Sequence, residues 1–128
     1  MTLRYKLTAD LTSASVGYGG VGDDWVPIGD LSIPFNGWFD GQSHVIADLI
    51  VNRPCSDNVG LFGYVGAGGE VANVRRVGGS MSGIQYVGGL VGRNAGGTVS
   101  NCSNSGGNVA GSKAVGGIVG GSDSSGTV

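Results

Sequence analysis

Charge is scarce in this 128-residue chain: Asp, Glu, Lys and Arg together make up 12% of it, and the formal net charge is −2. No broad basic field exists to hold nucleic acid, so nucleic acid is not an expected partner. Only 3 prolines are present, and the glycines follow no three-residue period, which excludes a collagen-like helix. Unbroken apolar runs fall well short of the ~18 residues a membrane-spanning helix needs, so direct membrane insertion is not expected. The single histidine, His44, cannot build a His-based metal cluster or a catalytic triad. Two cysteines, Cys55 and Cys102, are too few for a disulfide framework. The residues call for no cofactor and no metal.

What the chain has in excess is glycine, 28 residues, beside a 40% hydrophobic content that argues against disorder. Each glycine inside a helix costs about 1 kcal/mol relative to alanine, so helix is rejected. The apolar residues are mostly β-branched and come in short bursts bounded by Gly, Asn and Ser, a strand-and-turn pattern. The bursts recur. Val59-Gly60 returns as Val87-Gly88 and as Val115-Gly116, a step of 28 residues each time. Residues 59–86 and 87–114, compared without a gap, share ten identical positions. A fixed period of this length marks a repeat array.

The expected fold is all-β: one continuous parallel β-solenoid of about four to five coils with a 28-residue repeat, coils stacked at ~4.8 Å. Residues 1–58 are expected to form irregular coils with an outward loop near 13–24. Residues 59–128 hold the repeats 59–86, 87–114 and a partial 115–128. Thr8-Ala9-Asp10-Leu11, Ile46-Ala47-Asp48-Leu49, Val71-Ala72-Asn73-Val74 and Val99-Ser100-Asn101-Cys102 share a pattern. In the last three, two apolar residues three apart can face the same interior only if the chain bends between them. Asp and Asn tolerate the left-handed backbone of such a bend. The reading therefore places a polar ladder Asp10/Asp48/Asn73/Asn101 beside an apolar ladder Leu11/Leu49/Val74/Cys102. Val59/Val87/Val115, Phe62/Leu90/Ile118 and Ile46/Val71/Val99 are expected as further columns. Cys102, at the repeat position of Val74, is expected to be a buried thiol acting as a small hydrophobe.

The run Val87-Gly88-Gly89-Leu90-Val91-Gly92, followed by Gly96-Gly97-Thr98-Val99-Ser100-Asn101-Cys102, resembles the GLUG-motif repeats of large bacterial surface proteins, adhesin-like proteins and some immunoglobulin-A-cleaving peptidases among them. Trp25-Val26-Pro27-Ile28-Gly29, Pro34-Phe35-Asn36-Gly37 and Phe39-Asp40-Gly41 are similar to the segment that leads into such repeats. The resemblance implies a right-handed β-helix in an extracellular or cell-surface region, and it transfers no catalytic residue. Two departures stand out: Phe62-Gly63 in place of Leu-Val, and one extra residue before Val128. Neither end of the chain carries the polar cap that terminal repeats need. The chain is therefore expected to be a segment of a longer protein, with end-to-end self-association through open strand edges.

Other motifs are weaker. Gly19-Gly20-Val21-Gly22-Asp23-Asp24-Trp25-Val26 matches a calcium-binding nonapeptide, but that motif works by tandem stacking and no second copy exists. Gly17-Tyr18-Gly19-Gly20-Val21-Gly22 satisfies a dinucleotide pattern with no helix after it. Asn101-Cys102-Ser103 is a formal glycosylation sequon, set aside because Asn101 is expected to turn inward. His44 is expected to hydrogen-bond locally. Trp25, Phe35, Trp38 and Phe39 are expected to plug the first coils, with Trp25 and Trp38 as alternative sugar-stacking faces. Arg75, Arg76 and Arg93 are expected on a solvated face, with contact to an acidic glycan from neighbouring coils as the alternative.

These readings converge on a structural or recognition segment of a cell-surface adhesin-like protein, with no catalysis. Host or matrix glycans or proteins are the candidate partners. The alternative is a non-catalytic carbohydrate-binding module or part of a β-helical carbohydrate-active enzyme. Hydrolysis would need two carboxylates set across a cleft, and no such pair is evident.

Overall fold

A computed structural model describes residues 4–11, 26–123, 126 and 128. The expected outward loop near 13–24, Trp25 and most of the calcium-like nonapeptide lie outside the described residues. Short strands carry the fold: β1 (Arg4–Lys6), β2 (Trp38–Asp40), β3 (Val45–Ala47), β4 (Ile50–Asn52) and β5 (Phe62–Val65). One turn of the repeat then gives β6 (Glu70–Ala72), β7 (Arg75–Val77), β8 (Ser80–Ser82) and β9 (Gln85–Gly88). The next gives β10 (Val91–Asn94), β11 (Thr98–Ser100), β12 (Ser103–Ser105), β13 (Asn108–Ala110) and β14 (Lys113–Gly116), and β15 (Val119–Ser122) follows. The described residues contain no helix.

Every strand pairing among them is parallel. The strands form five sheets, ordered β1-β2-β6-β11, β15-β10-β5, β12-β7-β3, β13-β8-β4 and β14-β9. From β5 onward the chain visits the five sheets in fixed rotation, and β10 and β15 return to the sheet of β5. Parallel neighbours cannot be joined by a tight hairpin. From β2 onward a full circuit of the other sheets makes each connection.

The corners explain why the strands are only three or four residues long. Asp48 (φ 59°), Gly78 (φ 68°) and Gly106 (φ 70°) occupy one corner in successive circuits, all with left-handed backbone. Asn58 (φ 58°), Tyr86 (φ 55°) and Ala114 (φ 53°) occupy a second, and Asn73 (φ 59°) and Asn101 (φ 50°) a third. A single left-handed residue turns the strand direction while the apolar residues on either side stay inward. Gly79 (φ 77°) beside the first corner is required for a second reason. A Cβ there would collide with the carbonyl oxygen of Leu49.

The interior is a slender apolar column. Val51, Val59, Phe62, Val65, Val71, Val74, Val87, Leu90 and Val91 have no exposed surface. A fully buried aliphatic side chain of this kind is worth about 1.5–3 kcal/mol. Val59 pairs with Val87 and Val87 with Val115, one 28-residue step each. Val71 lies between Phe39 below and Val99 above.

Three column assignments made from the sequence are corrected. Phe62 sits on Val91, which sits on Val119, so Leu90 and Ile118 are not its register partners. The upper circuit has one more residue between Val87 and Val91, and one fewer between Asn94 and Thr98. These offsets cancel and hide in an ungapped comparison. The apparent Phe62-Gly63 substitution disappears too, because Leu61-Phe62 takes the place of Leu90-Val91. Second, Phe39 rather than Ile46 extends the Val71/Val99 column, and Ile46 pairs with Arg76. Third, the proposed ladders are divided between corners. Asn73 and Asn101 share one, with Val74 and Cys102 beside them. Asp48 instead lies in register with Gly78, Leu49 with Gly79, and Leu11 with Ile46. Asp10, next to Leu11, accepts a hydrogen bond from the Val45 amide. The same four-residue pattern recurs at different corners of one circuit, and local sequence does not distinguish them.

Candidate functional site

Alternation along β1, β2, β6 and β11 sends one set of side chains inward and the other to solvent. In register, Arg4, Trp38, Glu70 and Thr98 form one outward row, and Lys6, Asp40, Ala72 and Ser100 a second. Trp38 is 41% exposed, and the Arg4 guanidinium lies 4.2 Å from the centre of its ring. Cation–π attraction of this kind at an exposed site is worth about 0.5–1 kcal/mol. A shallow groove of about 140 Å³ runs along Trp38, Phe39, Asp40, Glu70, Ala72 and Asn73. Asp40 accepts hydrogen bonds from Asn73 Nδ2 at 2.9 Å and the Gln42 amide at 2.8 Å. These bonds, the Asn73 amide foremost, hold its carboxyl below the usual carboxylate range.

The aromatic residues divide. Phe35 and Phe39 approach Phe62 at ring-centre distances of 4.9 and 5.1 Å, and Tyr5 lies 6.3 Å from Phe35. These rings, with Ile28, line an apolar cavity of about 260 Å³ near the first strands. Trp38 takes no part in that plug. It faces outward, opposite to its neighbour Phe39.

The two arginines on β7 also part company. Arg75 is exposed, whereas Arg76 is fully buried, which overturns its expected place on a solvated face. Arg76 stands in the interior column between Ile46 and Asn104. Its Nη1 donates to Asn104 Oδ1 at 2.7 Å, and Asn104 Nδ2 donates to the Gly117 carbonyl at 2.6 Å. The interior therefore turns from aliphatic to polar along this column. Buried as it is, Arg76 is withdrawn as a glycan contact.

His44 reaches farther than expected. Its amide donates locally to the Gly41 carbonyl, but its ring Nδ1 lies 3.1 Å from Asp10 Oδ1, one circuit below. The Val45 amide donates to the same Asp10 oxygen at 2.8 Å and is the main reason the Asp10 carboxyl is held below its ordinary value. Asp10 is an exposed corner residue, not an interior one. Cys102 is half-buried, and burial pushes its thiol up. Its Sγ donates to the Ser100 carbonyl at 3.2 Å. Cys55 is exposed, and both cysteines are free.

One cluster was read from the sequence only in its arginine, Arg93, and not in its partners. Arg93 lies between the rings of Tyr64 and Tyr86, at 5.5 and 4.8 Å from their centres. It also pairs with both carboxylate oxygens of Asp123 at 3.2 Å. Arg93 and Tyr64 are register partners only after the one-residue offset between the two circuits is allowed for. An alignment with that offset was the signal that could have found them. Among the described residues, no group of three or more His, Cys, Asp or Glu side chains could hold a metal ion. No described helix is long and apolar enough to cross a membrane.

Comparison with known proteins matches residues 83–110 to the GLUG motif. Halomucin of Haloquadratum walsbyi is 35% identical over 98 residues, 71% of this chain and 1% of that protein. A protein of Evansella cellulosilytica named "Putative Gly-rich membrane protein" is 35% identical over 75 residues, 58% of this chain and 8% of its own length. The chain thus spans a small fraction of the relatives it matches. No solved structure matches it. The parallel strands, the left-handed corners and the match at 83–110 agree: this chain carries the GLUG motif, and it is similar to short stretches of two far longer proteins, one of them named as Gly-rich.

Proposed function

We propose that the chain is a segment of a right-handed parallel β-solenoid, acting without catalysis as a stalk or recognition scaffold in an extracellular, adhesin-like cell-surface protein. One observation carries this reading: five sheets visited in fixed rotation, with corner residues from Asn58 onward returning every 28 positions. A stack of this kind supplies length and repeated surface, and it needs no reactive centre. The relatives support it, because this chain matches only a small part of proteins far longer than itself, one of them named as a membrane protein.

Two experiments test it. Adding one more copy of residues 87–114 should lengthen the particle seen by small-angle scattering by about 4.8 Å at constant cross-section; a thicker particle of unchanged length contradicts the solenoid. Brief proteolysis of intact cells should release peptides of this chain. Recovery only after lysis contradicts the surface assignment. The partners proposed are matrix or host glycans or proteins. End-to-end association of copies is also proposed, through the same parallel strand pairing that stacks β2, β6 and β11.

A second reading, glycan binding without chemistry, is favoured by the groove along Trp38, Asp40, Glu70 and Asn73. A part-exposed indole beside carboxylate and amide groups suits a sugar ring and its hydroxyls. Loss of glycan-array binding in Trp38→Ala supports this reading, and unchanged binding removes it.

A further inference from the structure

The chain contains one Asn-X-Ser/Thr sequence with X other than Pro, Asn101-Cys102-Ser103. Inward orientation of Asn101 would make it irrelevant, but the structure places it otherwise. Asn101 is exposed at the left-handed corner between β11 and β12, with φ 50°. Ser103 is exposed on β12, and Cys102 between them turns toward the core. The two side chains that define the sequon thus face solvent together, while the intervening one anchors the corner.

The equivalent corner one circuit below shows what is special here. Asn73 makes the same bend, but its Nδ2 is committed to Asp40 at 2.9 Å and its sequence, Asn73-Val74-Arg75, is not a sequon. The neighbour beneath Asn101 is Asn73 rather than a carboxylate. Among the described residues the Asn101 side-chain amide makes no hydrogen bond. The Ser103 backbone amide is held by the Val74 carbonyl at 3.0 Å, which fixes the strand and leaves the hydroxyl available. Ser100 and Ser105, both exposed, keep the surrounding surface low.

We propose that Asn101 is an N-glycosylation site. The co-reactant is a sugar carried on a lipid phosphate and delivered by a membrane transferase. Asn101 Nδ2 attacks the anomeric carbon, the C–N bond forms, and the bond from that carbon to the phosphate oxygen breaks. The lipid phosphate departs and Nδ2 releases one proton, with no change of oxidation state. A glycan at this corner projects away from the stack and displaces no core contact. The proposal rests on the surface reading, since transfer of this kind takes place on the outer side of a membrane.

The test supplies export independently, so that its failure is separate from failure of the surface reading. The chain, Ser103→Ala and Ser103→Thr are secreted behind a foreign leader from a glycosylating host and compared by intact mass and peptide mapping. The unaltered chain and Ser103→Thr are expected to carry a glycan at Asn101 that peptide N-glycosidase removes. Ser103→Ala is expected to lack it while melting at the same temperature. An unmodified Asn101 in the unaltered chain, or a glycan retained in Ser103→Ala, overturns the proposal.

Discussion

Val71→Ala and Val77→Ala delete the same two methyl groups from residues on adjacent strands, yet the structure assigns them different environments. Val71 has no exposed surface and is held between Phe39 and Val99, whereas Val77 is 40% exposed on the outer side of β7. At about 0.8 kcal/mol per buried methyl-sized group, the transfer contribution at Val71 is about 1.6 kcal/mol. Val71 is closely surrounded within the buried cluster, so the cavity collapses only in part, which brings the expected loss to about 2–3 kcal/mol. At Val77 the loss should stay below about 1 kcal/mol, because water already reaches the removed groups. For a chain of this size, about 4 °C of melting temperature accompanies each kcal/mol. Val71→Ala should thus melt roughly 8–12 °C lower and Val77→Ala no more than about 4 °C lower. Urea unfolding with an unchanged m-value would confirm that stability and not the unfolded ensemble has moved. Equal shifts in the two variants would refute the stacking argument.

Further outcomes follow from the same geometry. Gly79→Ala should destabilise by about 2–4 kcal/mol, because strain and a collision with the Leu49 carbonyl combine; Gly68→Ala, with open space and φ 82°, should cost only about 1 kcal/mol, and denaturant titration of both separates the two effects. The Asp40 carboxyl is depressed in the fold, so its contribution is present above the unfolded value of about 3.9 and lost as pH falls through the folded one. Melting temperature should accordingly drop below about pH 4, and Asp40→Asn should shrink that drop; an identical acid limb counts against the Asn73 contact. Iodoacetamide should modify exposed Cys55 well before half-buried Cys102, whose thiol is pushed up by burial, as peptide mapping at short times would show.

Much of this fold was legible because glycine and left-handed Asn are conformational signals with a fixed step. Val59/Val87/Val115 and Val71/Val99 stack as the 28-residue period requires. The earlier circuits were harder to read. Tyr5 to Phe39 and Phe39 to Val71 are steps of 34 and 32 residues, so no constant period links them. Asp48 was matched to Asn73 because both sit in a left-handed bend, although they serve different corners. Only closure of the whole circuit tells them apart.

The buried Arg76 could have been found from the sequence. Val74 faces the interior, and a residue two positions later on a strand faces the same way. The charge of arginine argued for solvent, and tertiary context overrode that preference. For the outward row around Trp38 the sequence offered the aromatic residue but not its neighbours. Arg4 and Glu70 meet it only through strand pairing across intervals of 34 and 32 residues.

Backbone nuclear Overhauser contacts among Phe39, Val71 and Val99 test the central assignment most directly. The stacked parallel arrangement requires amide-to-α-proton contacts linking the strands of Phe39 and Val71, and of Val71 and Val99, in that register. Short α-proton-to-α-proton contacts between strands, the signature of antiparallel pairing, or a link from Val71 to the strand of Ile46 in their place, would contradict it.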